Sequence, residues 1–177
     1  MGRSPYTDIR QLTLIYCYLL IIDIKKTMSE FKETIEISAA QEHVWEVLAD
    51  IGAICEWNPG VKDSKQTSPG DVSVGATRHC DLGGRNYLDE EVVEFAPDSH
   101  ITIRITDTNL PFKSADIRFS LVSAGANTLV TVSPDYQLKY GLIGRILDTL
   151  VVRSQYRKGM QGLLQGLKAR VESNGAS

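Results

Sequence analysis

Cysteine, histidine and tryptophan are scarce in this sequence of 177 residues. The three cysteines, Cys17, Cys55 and Cys80, are odd in number and far apart, which fits neither a disulfide framework nor a cysteine-based zinc site. The three histidines form no His-x-x-x-His or His-Cys motif, so we expect no metal site. A reducing compartment, the cytoplasm, is the simplest expectation for this cysteine usage.

A strong excess of one charge is also missing. The formal net charge is -3 and the isoelectric point is about 5.6, and without a long basic run the electrostatic footprint of a nucleic-acid-binding protein is absent. There is no Gly-x-Ser-x-Gly turn, which excludes one common arrangement of a serine nucleophile. The pair Gly83-Gly84 joins two predicted strands and does not open a helix, so it does not indicate a phosphate-binding loop. We therefore expect no cofactor and no nucleic-acid partner.

No apolar run is long enough to cross a bilayer. The most apolar stretch, Leu12 to Ile22, has about half the required length and follows Arg3 and Arg10. A signal peptide is an alternative, but no small-x-small cleavage site follows the apolar stretch. Because a complete domain pattern begins directly after Met28, we predict that residues 1–27 are an extension outside the fold. Residues 28–173 then form one domain, and residues 174–177 form a tail.

The hydrophobic patterns predict a strand, a short helix, six further strands and a long helix. Thr34–Ser38 alternates polar and apolar residues, and His43–Ala49 has apolar residues at helical spacing. Pro59, in the turn Trp57-Asn58-Pro59-Gly60, ends the first helical region. From about Tyr140 to Val171 the spacing is helical again. The strands predicted between these helices are Val61–Thr67, Ala76–Leu82, Asn86–Phe95, Ile101–Thr106, Phe112–Val122 and Thr128–Tyr136.

The connections between these strands are short and rich in turn-forming residues, which predicts an antiparallel meander. Such a sheet has one apolar face to bury, and the terminal helix is the only predicted element long enough to cover it.

The order of elements resembles the START-like (SRPBCC) helix-grip superfamily, particularly its polyketide cyclase/dehydrase-type branch. The resemblance covers Phe31 to Val171, and the stretches that carry it are VWEVLADIGAICEWNPGVK, VGATRHCDLGGRNYLDEEVVEFAP, LPFKSADIRFSL and YGLIGRILDTL. It implies an α+β helix-grip fold, in which a curved antiparallel β-sheet wraps around a long C-terminal α-helix and two short helices follow the first strand. It also implies a cavity between sheet and helix that binds a hydrophobic small molecule. Members of this superfamily range from lipid carriers and plant hormone receptors to cyclases.

Arg78 and Glu90 are the most informative polar residues, and their placement depends on the hairpin between them. A three-residue loop Gly83–Arg85 would set Arg78 opposite Glu90, whereas a two-residue loop would set Arg78 opposite Asp89. We favour the first register because it places a consistently apolar series on the same face as Arg78 and Glu90. The other pairs of that register are Leu82–Asn86 and Cys80–Leu88.

The resemblance supports this placement, since related receptors and cyclases carry cavity-facing polar residues at the same positions. An inward Arg78 would hold a ligand carboxylate or enolate, and Glu90 would accept a hydrogen bond or act as a general base. The structural alternative is a solvated cross-strand salt bridge. The candidates for catalysis are Arg78, Glu90 and Tyr136. The predicted ligand-binding residues are Trp57, Asn58, Arg78, Cys80, Tyr87, Leu88, Glu90, Val92 and Tyr136.

Several of these residues have two interpretations. Trp57 either covers the mouth of the cavity or fills the core between helix and sheet. Asn58 fits a turn position better than a ligand contact. Gly159, Gly162 and Gly166 lie at helical spacing and each lowers helix stability by about 1 kcal/mol relative to alanine. They therefore indicate either a close approach of backbone, which we favour, or room for a ligand.

The sequence favours a binding or carrier module for a hydrophobic small molecule, namely a lipid, a polyketide or an isoprenoid-like compound. A cofactor-independent polyketide cyclase or dehydratase is the alternative, and a quinone-binding accessory protein is a further one. We expect a monomer or homodimer with no integral membrane span.

Overall fold

The structure is a computed structural model that describes residues 31–139 and 153–174. Within these ranges the chain forms seven strands, two α-helices and a 3-10 helix. In chain order the elements are β1 Glu33–Ile37, α1 Gln41–Ala49, the 3-10 helix Ile51–Glu56, β2 Asp63–Gln66, β3 Thr77–Gly83, β4 Asn86–Ala96, β5 His100–Thr108, β6 Phe112–Ala124, β7 Asn127–Leu138 and α2 Arg153–Asn174.

The strands form one antiparallel sheet in the order β1-β7-β6-β5-β4-β3-β2. Strands β2 to β7 form a meander, and β1 pairs with β7 at one edge of the sheet. The sheet is curved, and the helices after β1 together with α2 complete a helix-grip α+β fold. The predicted fold class is therefore confirmed.

The core lies between the apolar face of the sheet and the helices. Strands β6 and β7 alternate buried and less buried residues, as expected for a sheet with one covered face. On α2 the buried residues recur at helical spacing and belong to the same hydrophobic cluster as the sheet residues. These α2 residues are Met160, Leu163, Leu164, Leu167 and Val171.

Two predicted boundaries differ from the structure or lie outside it. The strand predicted from Val61 begins at Asp63, because the Val61 N–H still bonds to the Asn58 carbonyl within the preceding turn, at 3.0 Å. The first part of the predicted long helix falls on residues 140–152, outside the described residues. The predicted extension, residues 1–27, also lies outside them.

The hairpin between β3 and β4 has the shorter of the two predicted loops but the Arg78–Glu90 pairing of the longer one. The turn itself has two residues, Gly84 and Arg85, with φ of 60° and 72°, as in the hairpin turns that match the twist of a sheet. A register shift between Asp81 and Gly83 then leaves Leu82 as an extra residue in β3, so that Gly83 and not Leu82 lies opposite Asn86. The predicted Leu82–Asn86 pair is therefore wrong. Because the extra residue restores the register, the predicted pair Arg78–Glu90 and the pair Cys80–Leu88 are both present.

Candidate functional site

A buried ion pair joins β3 to β4 on the covered face of the sheet. Arg78 Nε donates to Glu90 Oε2 at 2.7 Å, and the two side chains are only 6% and 2% exposed. Arg78 Nη1 also donates to the Ile51 carbonyl at 3.3 Å, which ties the pair to the 3-10 helix. The geometry is that of an interior ion pair and not of the solvated surface bridge considered above.

The surroundings of the pair are mostly apolar. The space beside it is lined by Ile51, Ala76, Val92 and Ile103, with Glu91 as the one further charged residue, and it is too small to admit a water molecule. Charges in such surroundings lose their hydration, and only their mutual attraction and hydrogen bonds compensate for that loss. Burial acts to lower the pKa of Arg78, but the attraction and hydrogen bond of Glu90 outweigh it and raise that pKa above its ordinary value.

Cys80 lies beside this pair and is fully buried, at 0% exposure. Its Sγ donates to Glu90 Oε2 at 3.5 Å. Burial raises the pKa of the Cys80 thiol to about 12, with the charge of Glu90 adding to the rise and that of Arg78 opposing it. The thiol is therefore neutral at physiological pH and serves as a weak hydrogen-bond donor, not as a nucleophile.

A cluster of four aromatic rings, Phe31, Phe112, Tyr136 and Tyr156, brings α2 onto the strands. Tyr156 is its centre, with ring centroids 4.9 Å from Tyr136, 5.6 Å from Phe112 and 5.9 Å from Phe31. The contacts with Tyr136 and Phe31 are edge-to-face, an arrangement that stabilises the cluster beyond simple burial. Tyr136 is 2% exposed, so the structure places this predicted residue on the inner face of β7.

The hydroxyl of Tyr156 is the unexpected feature of the cluster. It is buried and has no hydrogen-bond partner within the part of the chain that the structure describes. Burial raises the pKa of this hydroxyl, and the charge of Glu90 raises it further. The hydroxyl therefore remains un-ionised. Our sequence analysis missed this residue. The available signal was its position one helical turn before Met160, on the apolar face of α2.

The turn after the 3-10 helix packs directly on α2. A Cβ added to Gly166 would lie 1.7 Å from the Trp57 carbonyl oxygen, so only glycine permits this approach. Gly162 is in ordinary contact with Pro59, at 3.7 Å, whereas nothing lies within 4 Å of a Cβ at Gly159. The favoured packing interpretation therefore holds for Gly166.

Trp57 is 6% exposed and lies between α1, the 3-10 helix and α2. Its indole Nε1 is buried and has no partner among the described residues. Asn58 has the expected turn role, since its Oδ1 accepts the Gly60 N–H at 2.9 Å. Trp57 also lines a pocket of about 270 Å³ together with His43, Glu46, Val47, Asp50, Ala53, Glu56 and Arg170.

Tyr87, one of the predicted ligand-binding residues, does not lie with Arg78 and Glu90. Its hydroxyl donates to Asp107 Oδ2 at 2.9 Å, and its ring stacks on His79, with centroids 5.9 Å apart. Successive side chains of a strand point to opposite faces, so Tyr87 lies on the face of β4 that is opposite to Glu90. Two further predicted residues, Leu88 and Val92, share the side of Glu90.

The described residues contain neither a candidate metal centre nor a helix that could span a membrane. Residues 31–139 and 153–174 contain no group of three or more His, Cys, Asp or Glu side chains that could hold a metal ion. No helix in the same ranges has the length and apolar character needed to cross a membrane.

Comparison with known proteins identifies the family. Residues 28–172 match the family described as polyketide cyclase / dehydrase and lipid transport, and the chain belongs to this family. Uncharacterized proteins of Mycobacterium bovis and Mycobacterium tuberculosis are 26% identical to it over 106 residues, which is 58% of this chain and 64% of theirs. The match therefore spans somewhat less than two thirds of the length of these curated relatives.

Solved structures confirm the helix-grip fold. A START superfamily protein from Mycobacterium smegmatis is 22% identical with a TM-score of 0.67, covering 82% of this chain and 98% of its own. The Zhui aromatase/cyclase from Streptomyces is 16% identical with a TM-score of 0.67, covering 81% and 93%. A ginseng major latex-like protein is 16% identical with a TM-score of 0.64, covering 80% and 95%. At these identities the likeness concerns the fold alone.

Proposed function

We propose that the protein binds a hydrophobic small molecule, a lipid, polyketide or isoprenoid-like compound, between the sheet and α2. The observation that carries this proposal is the buried Arg78–Glu90 pair on an otherwise apolar face. An interior ion pair contributes little to stability compared with well-packed apolar side chains. Its presence is explained if it sets the electrostatic surroundings of a ligand bound on this face of the sheet. The description of the family, which joins cyclases and dehydrases with lipid transport, supports the same class of ligand.

Binding is favoured over catalysis by the state of the candidate groups. Glu90 Oε2 already accepts hydrogen bonds from both Arg78 and Cys80, and the Cys80 thiol is neutral. Use of Oε2 as a general base would require both of these donors to be displaced first. We therefore place the cyclase or dehydratase second and treat a quinone as one candidate ligand. We further propose a cytoplasmic monomer or homodimer without a nucleic-acid partner.

The proposal is tested by native mass spectrometry of the purified full chain, followed by extraction and identification of any bound compound. We expect a hydrophobic compound to copurify with the protein. The double variant Arg78→Met/Glu90→Gln is expected to fold but to lose it. The matched control is Arg104→Met/Asp116→Asn, which removes a solvent-exposed pair and is expected to retain the compound. Failure to detect a ligand, together with no binding of added lipids, polyketides or quinones, would overturn the proposal.

A fluorescence titration gives a second reading. The chain has two tryptophans, so a Trp45→Phe variant leaves Trp57 as the only indole. If Trp57 contacts the ligand, its emission changes on binding. If a ligand shown to bind by mass spectrometry leaves the emission unchanged, Trp57 belongs to the permanent core. Release of a dehydrated, cyclised product from an added polyketide would instead favour the enzyme.

A further inference from the structure

We infer that the polar end of the ligand is a neutral carbonyl or hydroxyl group that hydrogen-bonds to Tyr156, and that a free carboxylate is rejected. This inference rests on the proposed function, because it assigns the chemistry of the ligand for the same site. It also revises the expectation that Arg78 would hold a ligand carboxylate.

The first step is the unsatisfied hydroxyl. Buried polar groups almost always have a hydrogen-bond partner, so each exception needs a physical reason. The ring of Tyr156 packs against Phe31, Phe112 and Tyr136, and its buried hydroxyl has no partner in the described part of the chain. A carbonyl oxygen of a ligand would accept its O–H, and a ligand hydroxyl would either donate to it or accept from it.

The second step is the balance of charge. Arg78 is neutralised by Glu90 at 2.7 Å, so it presents no net positive charge to a ligand. Glu90 and the Tyr156 hydroxyl are both buried, and Tyr156 packs against the core between sheet and helices; burial raises the pKa of that hydroxyl, and the charge of Glu90 adds to the rise. A carboxylate bound at Tyr156 would face this like charge in apolar surroundings, which is unfavourable unless the acid takes up a proton. A ketone, quinone or alcohol carries no charge and avoids that repulsion.

The third step is the basic residue that follows Tyr156 on α2. Arg157 Nε lies 2.9 Å from Glu33 Oε1, and its guanidinium stacks over the Phe31 ring at 5.4 Å. Its charge is already engaged on the outer side of the aromatic cluster, where its side chain is 48% exposed. Arg157 is thus not poised to neutralise a ligand carboxylate at the Tyr156 hydroxyl.

The test compares a long-chain methyl ketone with the fatty acid of equal carbon number, each titrated into the full chain by calorimetry at neutral pH. We expect the ketone to bind at least about tenfold more tightly than the fatty acid, the ratio that corresponds to one good hydrogen bond. Tyr156→Phe is expected to lower the affinity for the ketone by about the same factor and to leave the affinity for the fatty acid unchanged. Tyr87→Phe alters a tyrosine on the opposite face of the sheet and is the matched control. It is expected to change neither of the two affinities.

A second variant tests the role of charge. Glu90→Gln leaves Arg78 unneutralised and is expected to improve the affinity for the fatty acid, reversing the preference. A fatty acid that binds the unaltered protein as tightly as the ketone overturns the inference while leaving the proposed function intact. A ketone preference that Tyr156→Phe does not diminish overturns the assignment of Tyr156. If neither compound binds and no hydrophobic molecule copurifies, the proposed function and this inference are both wrong.

Discussion

Replacing Glu90 by Gln removes the negative charge that neutralises Arg78 while keeping nearly the same shape. The guanidinium would then remain in a space lined by Ile51, Ala76 and Val92 that admits no water. Breaking one partner of a buried pair typically costs about 3–5 kcal/mol, because the remaining charge is neither paired nor hydrated. We expect Glu90→Gln to lower the free energy of unfolding by roughly 3 kcal/mol or more.

The double variant separates the cost of the lone charge from the value of the pair. Arg78→Met alone leaves the Glu90 carboxylate buried and is expected to destabilise by a similar amount, about 3 kcal/mol. Arg78→Met/Glu90→Gln removes both charges, so most of the loss is expected to be recovered. The coupling between the two positions is then several kcal/mol, far beyond the roughly 0.5 kcal/mol within which independent sites add.

Urea denaturation of the parent, the two single variants and the double variant measures this coupling. The exposed pair Arg104–Asp116 is the control, with side chains 53% and 35% exposed and two hydrogen bonds of 2.8 and 2.7 Å. Asp116→Asn is expected to cost under about 1 kcal/mol, as surface pairs do. If Glu90→Gln is as mild as Asp116→Asn, the interior pair is hydrated in solution and the site argued from it is wrong.

Three further predictions concern packing, titration and the chain terminus. Gly166→Ala is expected to destabilise by roughly 1–3 kcal/mol through its clash with the turn, whereas Gly159→Ala, with open space around it, is expected to stabilise by up to about 1 kcal/mol; equal melting temperatures would contradict the close approach. The folded state holds the Cys80 proton more tightly than the unfolded chain, so its contribution to stability is constant below the ordinary pKa of 9.0 and is lost as pH rises toward about 12. Over that pH window the urea midpoint should fall less in Cys80→Ala than in the unaltered protein. In a Cys17→Ser background, a thiol reagent should modify Cys55 before Cys80. A chain that begins at Met28 is expected to melt within about 2 °C of the full chain; a large drop would show that residues 1–27 belong to the domain.

Much of the fold was accessible from sequence because its signals are local. Alternation with period two, interrupted by turn-forming residues, predicted all seven strands, and the helical spacing of apolar residues predicted α1 and the described part of α2. The pairing of Arg78 with Glu90 also followed, since a shift by one residue would have turned the apolar series of β3 and β4 to the wrong face.

The details of that hairpin were decided in three dimensions. The sequence predicted a three-residue loop, whereas the structure has a tight two-residue turn and an extra residue at Leu82. The twist of the sheet favours such a turn, and the bulge then restores the register that burial of the apolar face requires. Neither requirement can be read from the residues Gly83–Arg85 alone.

The composition of the candidate site also depended on tertiary structure. Tyr156 is distant in sequence from Glu90, and only the packing of α2 against the sheet buries both in one core. The close contact of Gly166 with Trp57 likewise joins residues far apart in the chain. By itself the sequence determined the alternation of covered and exposed positions in each element, because that depends on the period of the element. Which inward residues meet was decided by the tertiary structure, because that depends on how sheet and helix pack against each other.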